Sequence, residues 1–219
     1  MSHLHRRPGA DGHVAGTPTT GMTGLPGPRA RLAAIAAAAL LALTFAVATI
    51  AHGTAPAATA GLQSGPAPWA PEHASLASRL AALRLPAQSD TGFHIHVLLR
   101  IFIDGKPVPV PAQIGIDPRG RFLAPLHTHD ASGIVHIESR RPYRFTLGQV
   151  FTVWGVRFTD TRIGGYADHG TRRLRVFVNG RHVPHPAARV LRAHDRIVVG
   201  YGPPGSFPAT DHTPFPLGL

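Results

Sequence analysis

Residues 126–139 read LHTHDASGIVHIES, which places His127, His129, His136, Asp130 and Glu138 within fourteen residues. Upstream, GFHIHVLLRIFIDG adds a second His-x-His pair, His94 and His96. Ten of the fifteen histidines lie after residue 90. Neutral imidazole is the commonest metal ligand, and histidines collected with acids point to a bound cation. The expected ligands are His94, His96, His127 and His129, with His136 close beside them. Asp130 and Glu138 are expected to accept from imidazole N–H groups and so orient the rings, or to act as a general base.

The donor set narrows the metal. The chain has no cysteine, and both methionines, Met1 and Met22, lie far from the histidines. That argues against thiolate copper sites and methionine-rich copper(I) sites, and leaves Cu(II) or Zn(II) as the expected cofactor. The bland alternative is a polar sheet face whose histidines hydrogen-bond to water. No catalytic residue is assigned. Ser132 beside His129 and Asp130 lacks a Gly-x-Ser-x-Gly elbow, and DASG reads as a turn. IGGYADHG matches no phosphate-binding spacing. His169, His182, His185, His194 and His212 read as surface residues, with His194-Asp195 close to a strand start.

Elements must bring these side chains together. In a strand, residues i and i+2 share a face. Over residues 93–103, Phe93, Ile95, Val97, Leu99, Ile101 and Ile103 alternate onto one face, so His94 and His96 project together from the other. Likewise His136 and Glu138 pair up if 134–139 is a strand, with Val135 and Ile137 facing the core. Asp104-Gly105 and Asn179-Gly180 are tight hairpin signals. The two hairpins align without gaps: LRIFIDGKPVPVPA and LRVFVNGRHVPHPA are identical at eight of fourteen positions. Duplication and convergence on one turn chemistry both explain this. Further strands are expected at 121–126, near Phe145 and at 196–201. TLGQVFTVWG reads as a short helix, capped by Thr146 and ended by Gly155. The expected fold is mainly β, a small barrel, sandwich or β-grasp-like domain with one short helix.

The rest of the chain suggests an exported domain. Residues 1–31, rich in Gly, Pro, Thr and Arg, read as a disordered cytoplasmic tail. Residues 32–51 are twenty uncharged positions preceded by Arg29 and Arg31. That length spans the hydrocarbon core as a helix, and the flanking charge puts the C-terminal part outside the cytoplasm. A cleaved signal peptide is the alternative, since 55–57 and 58–60 both fit small-x-small rules. The long leader and long apolar run favour a retained anchor. Residues 52–89 read as a Pro/Ala/Gly linker holding a short amphipathic helix at 71–87. The His-rich domain is expected over 90–208, followed by a flexible tail at 209–219.

The net charge of +11 and pI near 11.6 come almost wholly from arginine, with Lys106 the single lysine. The arginines are scattered and no nucleic-acid-binding motif is present, so the expected partner is the membrane rather than nucleic acid.

LHTHDASGIVHIES followed by FTLGQVFTVWG, with the upstream His-x-His strand, resembles a set of uncharacterised exported or membrane-anchored bacterial proteins, often actinobacterial. The resemblance covers about residues 94–155. It implies an extracytoplasmic location and brings no established activity. The expected function is binding, handling or sensing of a divalent transition metal at the cell surface. Two alternatives stand beside it: a metal-dependent hydrolase or oxygenase using the same site, and a metal-free interaction module.

Overall fold

The computed structural model describes residues 58–87, 89–216 and 218. Its longest strand is β1, Phe93–Ile103. Alternation decides its two faces. Val97, Leu99, Ile101 and Ile103 enter the main core, with Phe93 and Ile95 packed at its edge. His94, His96, Leu98, Arg100 and Phe102 take the opposite face.

Asp104 and Gly105 both adopt positive φ, 51° and 81°, which a two-residue I′ turn requires. The turn leads into β2, Lys106–Val108, which pairs with the end of β1. Next come β3, Leu126–His127, and β4, Ile134–Ser139. Helix α2, Leu147–Trp154, crosses over, preceded in sequence by α1, Leu76–Ala82. Three two-residue strands follow, β5 (Phe158–Thr159), β6 (Arg162–Ile163) and β7 (Tyr166–Ala167), which form a separate small sheet. Then β8, Arg173–Val178, turns through Asn179-Gly180 into β9, Arg181–His182. The last strand, β10, Arg196–Gly202, runs parallel to β1.

The seven-stranded sheet has the order β3-β4-β1-β10-β8-β9, with β2 beside β1 beyond the end of β4. Among the described residues the sheet is open, so the barrel alternative is corrected. A closed barrel would need its outer strands to pair, and here β3 and β9 are the two edges. A central parallel pair with a hairpin to each side, and a helix whose apolar face enters the core, make the architecture mainly β.

Helix α2 forms where its sequence signals it. Thr146 and Gln149 make a reciprocal capping box, and Leu147, Val150, Phe151, Val153 and Trp154 are all buried. Residues 58–87, expected as a linker with a helix, pack against this layer. Trp69 meets Trp154 edge-on with centroids 6.2 Å apart. Arg79, fully buried, pairs with Glu72 and donates to the Ala60 carbonyl at 2.9 Å. The helix is shorter than the expected 71–87, because the Glu72 carboxylate takes the Ser75 N–H and the first helical residue is Leu76. The expected strand at 121–126 shrinks to its end, since Pro125 has no N–H to give a ladder.

Phe207 and Asp211 lie on the other face of the sheet. The Phe207 ring rests on Gly200, where an added Cβ would come within 2.0 Å of it. Asp211 pairs with Arg100 at 2.8 Å. Leu98 and Val198 are buried on this face, outside the main core. Among the described residues no helix is long and apolar enough to cross a membrane. The apolar run 32–51 and the tail 1–31 lie outside the described residues.

Candidate metal centre

Strand register builds the site. On β4, His136 faces His96 of β1 on one side and His127 of β3 on the other. One pleat further along, Glu138 faces His94. β1 and β4 each carry a second ligand-type residue two positions away, and His129 follows His127 by two just beyond β3, so one face gathers His94, His96, His127, His129, His136 and Glu138.

The supports are mostly backbone. Thr128 locks the 127–129 stretch extended. Its hydroxyl donates to the Pro111 carbonyl at 2.7 Å and accepts the Ile114 N–H at 3.1 Å. The turn before β4 comes close to β1, because the Gly133 carbonyl accepts the Leu99 N–H at 2.8 Å. Gly133 has φ 83°, and a Cβ there would lie 2.5 Å from the Leu99 carbonyl oxygen, so glycine is required. On the far side of β1, the His194 N–H donates to the His96 carbonyl at 2.8 Å.

His136 Nδ1 lies 3.1 Å from His96 Nε2 and 3.4 Å from His94 Nε2. His127 Nε2 lies 3.2 Å from His129 Nε2. Donor atoms about 2.0–2.1 Å from a tetrahedral ion are separated by roughly 3.3–3.4 Å, so these spacings suit ligation. Two triads result, His94/His96/His136 and His127/His129/His136, each with its donor atoms within 4.8 Å of one another. Glu138 Oε1 is 3.1 Å from His94 Nε2 and 3.9 Å from His127 Nε2.

Protonation favours ligation. Burial first, then the neighbouring rings of His136 and His94, push His96 down to about 4. Burial and the rings of His127, His129 and His94 push His136 down to about 4. His127, whose side chain is fully buried, is lowered by the same loss of water. These rings are neutral at pH 7 and keep their lone pairs. His127 also has its tautomer fixed. Its Nδ1 donates to the Ala124 carbonyl at 2.9 Å, which leaves Nε2 as the ligand atom.

The structure thus brings together all five expected histidines and Glu138. Asp130 accepts the Ser132 N–H at 2.9 Å in the turn, and His129 and His136 act on its carboxylate electrostatically. The Ser132 hydroxyl first, and its N–H second, hold the Asp130 pKa below the usual carboxylate value. The Ala124 carbonyl and Thr128 hydroxyl were not expected as supports. A backbone carbonyl carries no residue-type signal, whereas the threonine between two histidines was visible as the middle of an extended H-T-H. Of the remaining histidines, His185 pairs with Asp160 at 3.1 Å and His194 packs on Phe215 with centroids 5.0 Å apart.

No protein-family model matches the chain, and neither a curated protein nor a solved structure gives a match.

Proposed function

We propose that this protein binds a divalent transition metal, Cu(II) or Zn(II), on the histidine face, and that it handles or senses that metal outside the cytoplasm rather than turning over a substrate. One observation carries the reading: His136 stands between two His-x-His pairs, with donor atoms of each pair within 4.8 Å of its own. Imidazoles with one carboxylate and no thiolate suit these two ions. The location rests on the apolar run 32–51 behind Arg29 and Arg31.

The test uses the full-length, untagged chain in mild detergent. Elemental analysis is expected to find bound copper or zinc, lost in a His127→Ala/His129→Ala variant that still melts cooperatively. A chain that takes up neither ion at micromolar concentration would overturn the reading and leave the histidines as a partner surface. Protease added to intact cells is expected to cleave the His-rich domain; protection would overturn the location.

A hydrolase or oxygenase at the same site is the second reading. It draws on exposure: the His94 side chain is 37% accessible, so an ion held there can keep a position for water.

A further inference from the structure

We infer that the face holds two metal ions, not one, with the His136 ring and the Glu138 carboxylate between them. This inference rests on the metal-binding reading above and specifies its stoichiometry.

Donor number is the first reason. Five imidazoles and a carboxylate exceed the four donors that a tetrahedral ion accepts. They also divide naturally. The His94/His96 pair belongs to β1 and the His127/His129 pair to β3 and the residues just after it. The two triads they form overlap in His136 alone. Strand order sets this division, because β4 lies between β3 and β1.

Placement of the shared residue is the second reason. His136 presents Nδ1 to His94 and His96. Its ring centroid lies 4.5 Å from that of His129 and stacks at 5.2 Å on that of His127. An imidazole has two nitrogens on different edges of one ring. With Nδ1 given to the β1 side, Nε2 remains for the other pair. To bridge, the ring must lose its one N–H proton, which passes to solvent; two cations stabilise the resulting imidazolate. The outer ligands make no such demand, since each uses a single nitrogen.

Glu138 supplies the third reason. Its Oε1 stands within 4 Å of a donor nitrogen on each side, His94 Nε2 at 3.1 Å and His127 Nε2 at 3.9 Å. A carboxylate shared by two pairs reduces the repulsion between two cations.

The experiment is a Cu(II) titration of the metal-free full-length chain, followed by electron paramagnetic resonance and elemental analysis. Two ions per chain are expected, with a one-copper signal that grows to one equivalent and then falls as the second spin couples through the ring. His94→Ala and His129→Ala alter exposed positions, so both variants are expected to fold. Each is expected to hold one ion and to keep an uncoupled signal at saturation. One ion per chain in the unaltered protein, lost in either variant, would overturn the two-ion inference and leave metal binding standing. Two ions without coupling would overturn the bridge. Zero ions would overturn the metal reading as well.

Discussion

The hairpins at Asp104-Gly105 and Asn179-Gly180 are near copies with unequal roles. Their sequences agree at eight of fourteen positions. Their turns agree too, with φ of 51° and 81° in one and 52° and 78° in the other. So does their register: Phe102 faces Pro107 where Phe177 faces His182, and Ile103 faces Lys106 where Val178 faces Arg181. Yet only β1 carries histidines into the candidate site. The difference lies before the repeated unit. β1 extends back to Phe93, whereas β8 begins at Arg173, one residue before its copy starts. The extension pairs with β4, and that long-range pairing, not the shared turn, makes the site.

The largest effect that separates the copies is in metal binding. His136→Ala removes the partner that faces the β1 extension. It is expected to weaken metal affinity by more than the roughly 10–100-fold seen when only a supporting residue is lost. His182→Ala, in the second hairpin, is expected to leave affinity unchanged. Competition against a metal-binding dye measures both.

Core packing gives the next largest separation. Leu99 and Leu174 are equivalent positions, 0% and 6% exposed. Leu99 sits in the middle of the sheet and its cavity cannot collapse, so Leu99→Ala is expected to cost about 3–5 kcal/mol and Leu174→Ala nearer 2 kcal/mol. Denaturant melts of the metal-free chain give both values.

Acid should act through the β1 extension. Folded His96 titrates near 4, against a value of about 6.5 when free. Below that free value the unfolded chain takes up protons that the folded chain refuses. Metal-free stability is therefore full above pH 6.5 and declines as pH falls toward 4, by up to about 1.4 kcal/mol per pH unit for each such buried ring. Melts at pH 7.5, 5.5 and 4.5 report the slope, and His96→Leu is expected to flatten it. A slope of opposite sign would mean that the rings are charged in the fold.

Exchanging the turn residues makes the finest comparison. Asp104 has a half-exposed ion pair with Arg172, so Asp104→Asn is expected to cost under about 1 kcal/mol. The Asn179 amide donates to Asp195 Oδ1 at 3.0 Å and its carbonyl accepts the Arg196 N–H at 2.9 Å. Asn179→Asp sets a second carboxylate against the buried Asp195, and is expected to cost about 1–3 kcal/mol.

Local rules made much of this legible in the sequence. Period-two alternation located β1 and β4, the paired turn residues located both hairpins, and Thr146 with Gly155 bounded α2. The histidines were visible because their i, i+2 spacing survives in strands whose other face is apolar. What stayed hidden is non-local. Nothing in residues 93–103 says that β10 pairs with them in parallel, or that β4 lies between the two His-x-His segments. The packing of residues 58–87 was also hidden, since a segment rich in Pro and Gly reads as linker even when Trp69 and a buried Arg79 anchor it. Residues 209–219 likewise read as a tail, while Asp211 pairs with Arg100 and Phe215 packs on His194.

The parallel pairing of β1 with β10 sets a folding order. Leu98 faces Arg196, so the middle of the sheet joins residues about a hundred positions apart. Closing so long a loop is slow, and domains rich in such contacts fold slowly. During synthesis β1 already has its β2 and β4 neighbours on one edge, while the other edge waits for the final strand. A chain stopped before Asp195 would expose that open edge to other chains, whereas one that reaches Gly202 covers it with its own backbone.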